Sequence, residues 1–116
     1  MEEQVRAAVE LYVEGVSTND PELVKQAFSE DAVMWGYLGP DYVTQTAASF
    51  AENVVATAPA PDPAYGHEIH SISVTGDVAS AVLEERAYLG ADFVNRFGLA
   101  RIDGRWRIVS KVFTTV

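Results

Sequence analysis

In "RWRIVSKVF", residues 105–113, a lysine stands two residues after Val109 and two before Phe113. A lysine amine on an apolar strand face can do two kinds of chemistry. Charged, it anchors a carboxylate or carbonyl oxygen; with its charge disfavoured by burial, it becomes a base. The ordinary alternative is a lysine whose stem lies on apolar surface while the ammonium reaches water or a carboxylate. Other chemistries lack their residues. With no Cys there is no thiolate metal site, disulfide or cysteine nucleophile. Neither GxGxxG nor GxxxxGK occurs, nor any Ser-His-Asp arrangement, and no cofactor is implied. "HEIH" offers His67 and His70, but residues three apart on a strand point to opposite faces, so no metal site is expected. His70 is expected on a face with Ile72 and Val74, pairing with Leu83 with Glu85 diagonal to it, as a core histidine.

The elements that must position Lys111 form one domain, residues 1–116, a length suited to a single core. No apolar run is long enough to span a membrane, and the acidic start "MEEQVRAAVELYVEG" is unlike a signal peptide. A soluble, cytoplasmic protein without membrane contact is expected. The net charge of −9 opposes binding to nucleic acid. Charge is uneven along the chain: residues 1–85 hold two bases against fifteen acids (−13), residues 86–116 six bases against two acids (+4). Either the helical half and the sheet attract each other, or the sheet draws anions.

Residues 3–17 place Val5, Ala8, Val9, Tyr12, Val13 and Val16 at helical spacing. Asp20 and Pro21 start a second helix as cap and first residue. "DAVMWGYLGP" reads as a strand ended by Gly39-Pro40. "TQTAASFAENVVATA" reads as a third helix with Ala47, Phe50, Ala51, Val54, Val55 and Ala58 on its apolar stripe. The prolines of "PAPDPAYG" break it. From His67 the period changes to two, giving four antiparallel strands and the order α-α-β-α-β-β-β-β. Three helices over one face of a curved antiparallel sheet make an α+β domain.

Two registers are open to the last hairpin. A two-residue turn at Asp103-Gly104 pairs Ile102 with Arg105 and sets Arg96 against Lys111, an unfavourable pair of like charges. A three-residue loop with Gly104 in a bulge pairs Leu99 with Arg107, Phe97 with Val109, Asn95 with Lys111 and Phe93 with Phe113, and is expected. Phe93, Asn95, Phe97, Leu99, Val109, Lys111 and Phe113 then share one face. The reverse face, with Val94, Gly98, Ala100, Trp106, Ile108 and Val112, is apolar too, which predicts a homodimer packed through the Trp106 face.

"VELYVEGVSTNDPELVKQAFSEDAVMWGYLG", "ISVTGDVASAVLE" and "FVNRFGLARIDGRWRIVSKVF" resemble the nuclear transport factor 2-like superfamily, in its branch labelled putative lumazine-binding. The resemblance implies a cone-shaped, cystatin-like α+β barrel with a cavity at its open end. Ketosteroid isomerase, of the same superfamily, is similar over residues 11–39. That similarity puts its oxyanion-hole tyrosine on Tyr12, its general-base aspartate on Gly36 and its proton-donating aspartic acid near Gly98, so two of three catalytic groups are missing. It also puts cavity-facing positions on Met34, Gly36, Val109, Lys111 and Phe113. Where related chains carry an acid this one has Asn95, which leaves Lys111 without an ion-pair partner.

These readings converge on a small-molecule-binding protein with an apolar cavity formed by Tyr12, Met34, Phe50, Phe93, Asn95, Phe97, Val109, Lys111 and Phe113, taking a small apolar or weakly anionic molecule. Two alternatives stay open. One is an isomerase, dehydratase or cyclase in which Lys111 takes a proton beside a carbonyl polarised by Tyr12. The other is a dimeric interaction module whose cavity is filled by its own side chains.

Overall fold

The computed structural model describes residues Met1–Val116. Helix α1 (Glu2–Ser17) buries the stripe from Val5 to Val16, as its spacing predicts. Asp20 then accepts from the backbone amides of Glu22 and Leu23 at 3.1 and 3.2 Å and starts α2 (Pro21–Ala27). The strands are β1 (Phe28–Leu38), β2 (Asp41–Thr46), β3 (Gly66–Thr75), β4 (Val78–Tyr88), β5 (Ala91–Ile102) and β6 (Arg105–Thr115). Between β2 and β3 lies α3 (Ala47–Phe50), which continues as a π-helical turn, Ala51–Val55. No helix is long and apolar enough to cross a membrane.

The six strands form one sheet in the order β2-β1-β6-β5-β4-β3, and the helices close over one of its faces. The architecture is α+β as expected, with two corrections. Gly39-Pro40 ends β1 as expected, but a further strand rather than a helix follows it. The pair turns β1 back into β2, with Gly39 at φ 59°, so the third helix starts at Ala47 rather than at Thr44. The sheet is also mixed, since β1 runs parallel to β6.

The β5–β6 hairpin takes the two-residue turn, pairing Ile102 with Arg105 across Asp103 (φ 51°) and Gly104 (φ 79°). The clash foreseen for this register does not arise. Leu99 pairs with Ile108 but Gly98 pairs with Ser110, so Val109 is an extra residue that shifts the rest of β6 by one. Arg96 then meets Val112, Phe97 meets Lys111, and Asn95 meets Phe113.

The bulge also decides which side chains enter the core. Before it, Trp106 (5% exposed) and Ile108 point toward the helices; after it, Lys111 does. A strand without a bulge could not put both sets on one face. Trp106 therefore belongs to the core and not to the outward face on which it was expected. Val109 is half-buried and lies outside the core. The outward face instead shows Trp35, Tyr37, Tyr42 and Val112 to solvent.

A second bulge, with Ser71 at φ 58°, reverses His70. His70 pairs with Val82, and its imidazole lies 2.6 Å from Glu84 and 2.9 Å from the Ser71 hydroxyl. Ile69, not His70, pairs with Leu83. No group of three or more His, Asp or Glu side chains is placed to hold a metal ion.

Candidate functional site

Lys111 enters the core opposite Phe97 and is 4% exposed. Its Nζ donates a 2.6 Å hydrogen bond to Oη of Tyr12, on the buried stripe of α1. The rings of Tyr12, Phe50 and Phe113 surround it, with centroids 4.8, 5.0 and 5.1 Å from Nζ. Ring faces favour the cation, but burial away from water disfavours it more. Desolvation lowers the Lys111 pKa to about 8, against the raising influence of the Glu85 charge. Tyr12 is pushed well above the usual phenol range, first by burial and then by the Glu85 charge.

Glu85, expected only as a diagonal neighbour of His70, belongs instead to this site. It is buried on β4, where its two oxygens accept hydrogen bonds of 2.8 Å each: Oε2 from the Tyr65 hydroxyl and Oε1 from Asn95 Nδ2. Asn95 Nδ2 also reaches the Leu83 carbonyl oxygen at 3.2 Å, while Asn95 Oδ1 has no partner. A signal was present: in "ASAVLEER", Ala81, Leu83 and Glu85 alternate on one face, so the carboxylate falls in an inward position. Lys111 thus has an acid nearby after all. No direct ion pair joins the two, and Glu85 is held by Tyr65 and Asn95 instead.

Lys111 and Glu85 both line a cavity of about 90 Å³, whose apolar wall includes Met34, Phe50, Tyr88, Phe93 and Phe113. Leu38 and Leu89 also line it and are 46% and 47% exposed, so they form its mouth. Tyr88 and Leu89 separate this cavity from a surface cleft of about 360 Å³ whose walls include Val16, Asn19, Pro59 and Tyr65. Burial and the Glu85 charge raise the pKa of Tyr88, and its buried hydroxyl has no partner. Tyr65 is raised by the same causes and by its hydrogen bond to Glu85.

Of the side chains expected around the cavity, Met34, Phe50, Phe93, Lys111 and Phe113 line it. Tyr12, Asn95 and Phe97 are buried without lining it: Tyr12 holds Lys111, Asn95 holds Glu85, and Phe97 packs edge-on against Tyr12 with ring centroids 5.3 Å apart. Val109 is displaced from this group by its bulge. Gly36 makes room for Phe113, because a Cβ there would collide with the Phe113 backbone oxygen and ring.

A family model described as "Putative lumazine-binding" matches residues 1–114. The chain belongs to that family. Solved structures of nuclear transport factor 2-like proteins share the fold of this putative lumazine-binding family member. A nuclear transport factor 2-like protein of unknown function from Shewanella baltica is 24% identical, with 98% of this chain and 92% of that one covered and a TM-score of 0.89. One from Silicibacter pomeroyi is 26% identical, with 97% and 93% covered and a TM-score of 0.88. A ketosteroid isomerase-like protein from Erwinia carotovora shares the fold at 19% identity, with 97% and 94% covered and a TM-score of 0.71. No functionally curated protein matches the chain.

Proposed function

We propose that the protein binds a small, mostly apolar molecule carrying one hydrogen-bond-accepting oxygen, with Lys111 as the anchor for that oxygen. The observation that carries this reading is the Lys111 amine at the cavity wall, buried, with a single hydrogen-bond partner, Tyr12. A buried ammonium has three donors to satisfy, and a ligand oxygen would take one of the two that remain. The Glu85 carboxylate in the same wall disfavours an anion, so a neutral carbonyl compound fits better than a carboxylate.

Size argues against the ligand in the family's description. An apolar cavity of about 150 Å³ suffices for benzene, and a pteridine is larger still. At about 90 Å³ the chamber takes no bicycle unless Tyr88 and Leu89 swing toward the neighbouring cleft.

Thermal shift with a series from propanamide to caprolactam tests the reading. Ligand at a hundred times its dissociation constant adds about 2.7 kcal/mol of stability. A raised melting temperature is expected for the smaller amides, and its loss in Lys111→Met. A flat response across the series would remove the binding reading.

A second reading, proton abstraction beside a carbonyl, is supported by the lowering of the Lys111 pKa to about 8, which suits a base near neutrality. A pH–rate profile for exchange of α-protons of butanone into solvent, with no limb near 8, would exclude it. For association, the exposed Trp35, Tyr37, Tyr42 and Val112 support a second copy on the outward face. Light scattering that finds only a species of 12.6 kDa would exclude it.

A further inference from the structure

We propose that Lys111 is an imine-forming lysine, which captures a small neutral aldehyde or ketone covalently inside the cavity through its Nζ. This rests on the cavity being the binding site argued above and goes beyond it, since a hydrogen-bond anchor needs no reactive amine. Three features of the site support it.

The first is geometry. The amine lies in the cavity wall, not at the end of a solvated stem, and its one hydrogen bond fixes it against the Tyr12 hydroxyl at 2.6 Å. A carbonyl carbon entering past Leu38 and Leu89 meets the nitrogen among the apolar side chains of Phe50, Phe93 and Phe113.

The second is the state of the amine. An ordinary lysine holds a neutral, nucleophilic amine in roughly one molecule in three hundred at pH 8. With its pKa lowered to about 8 by burial, Lys111 is neutral in about half.

The third is the set of groups around the product. Attack by the neutral amine forms the C–N bond and sends the carbonyl π pair to oxygen, and a proton passes from nitrogen to that oxygen to give a carbinolamine. A second proton, from solvent, lets the C–O bond break and water leave as the nitrogen lone pair closes the C=N bond of the protonated imine, whose N–H proton returns to solvent to give the imine. The net change is aldehyde plus amine to imine plus water, with no oxidant or reductant. Glu85 faces the same chamber with its oxygens held by Tyr65 and Asn95, so its charge favours the protonated imine without being the group attacked. Tyr12 is a positioning residue here, and its hydroxyl and those of Tyr65 and Tyr88 keep their protons.

The small cavity, about 90 Å³, favours a short aliphatic carbonyl compound over a ring system.

The chain has only two lysines, which makes the test direct. Lys25 is the internal reference: it is exposed, paired with Glu52 at 2.9 Å, and its pKa is raised. The protein is incubated with propanal and sodium cyanoborohydride at about pH 7.5, and alkylation at Lys111, Lys25 and Met1 is followed by peptide mass spectrometry. Labelling of Lys111 at least roughly tenfold faster than Lys25, saturating with propanal and slowed by propanamide, is the expected result. Because the competition is measured on the unaltered protein, it does not depend on a variant that folds.

Labelling of Lys111 no faster than Lys25 overturns the proposal. If propanamide still raises the melting temperature in that case, the cavity binds ligand and only the imine is wrong; if it does not, the binding reading falls as well.

Discussion

Lys111 and Tyr12, ninety-nine positions apart in sequence, share a buried 2.6 Å hydrogen bond that joins the last strand to the first helix. It ties the protein's stability to pH. The unfolded lysine titrates near 10.5, the folded one near 8, so between these values the unfolded chain holds a proton that the folded chain has released. Stability therefore rises with pH across this window. Below it both states are protonated, and the fold bears the full cost of a buried cation, on the order of 3 kcal/mol. Above about pH 10 the sign reverses, because unfolded phenols ionise while Tyr12, Tyr65 and Tyr88 stay protonated. Urea midpoints should rise between about pH 7 and 9.5 and then fall. In Lys111→Met the rise should vanish, with stability at pH 7 equal to or above that of the parent.

Glu85→Gln removes the nearby charge that holds the Lys111 pKa up. The Lys111 titration, followed by NMR at its Cε, should move below its present value of about 8. Loss of two charge-assisted hydrogen bonds, from Tyr65 and Asn95, should cost about 1–3 kcal/mol in urea unfolding at neutral pH. An unmoved Lys111 titration would mean that the two groups do not sense each other.

Two tyrosines of one cluster should respond in opposite directions. Tyr65 donates to Glu85, so Tyr65→Phe leaves a carboxylate oxygen short of a donor and should cost about 1–3 kcal/mol. The Tyr88 hydroxyl is buried without a partner, so Tyr88→Phe removes an unsatisfied group and should leave stability equal or higher. Chemical denaturation of both variants against the parent gives the comparison. A destabilised Tyr88→Phe would mean that the hydroxyl has a partner, such as bound water.

Trp106→Ala should destabilise the fold by about 3–5 kcal/mol, the usual cost of emptying a core site of this size, and leave association unchanged. Light scattering beside urea unfolding separates the two effects. A change in oligomeric state at full monomer stability would put the indole back on the outward face.

The placement of Trp106 shows where the sequence stopped being informative. Alternation locates strands and their faces only while the period stays at two, and a single extra residue reverses every later side chain. Val109 and Ser71 are such residues, and nothing in "IVSK" or "IHSI" marks them, since a β-branched residue and a serine are both ordinary in strands. Lys111 was still placed inward, because its face was assigned by pairing with β5, and the pairing differs from the expected one by two residues, which preserves parity. Strand β2 went unseen because "DYVTQT" buries little of itself, and the Gly39-Pro40 turn before it resembles a terminator. The parallel pairing of β1 with β6 joins segments at opposite ends of the chain and leaves no local trace. The helices were legible because each carries an uninterrupted apolar stripe with a capping residue or a break at its end.

Gly36 is where the parallel pair β1–β6 meets the cavity. It lies opposite Phe113, whose ring forms part of the cavity wall and stands 5.1 Å from Lys111 Nζ. A Cβ at position 36 would overlap the Phe113 backbone oxygen and come within 2.6 Å of two ring carbons. The backbone oxygen cannot move without disturbing the β1–β6 pairing, so the ring must turn into the chamber as well. Gly36→Ala should cost about 1–3 kcal/mol, as overpacking of a well-filled site does, and should also reduce the melting shift given by propanamide. Differential scanning fluorimetry with and without the amide reads both. Parent-like stability with an undiminished shift would show that Phe113 has free space beside it and that the cavity wall is softer than its contacts imply.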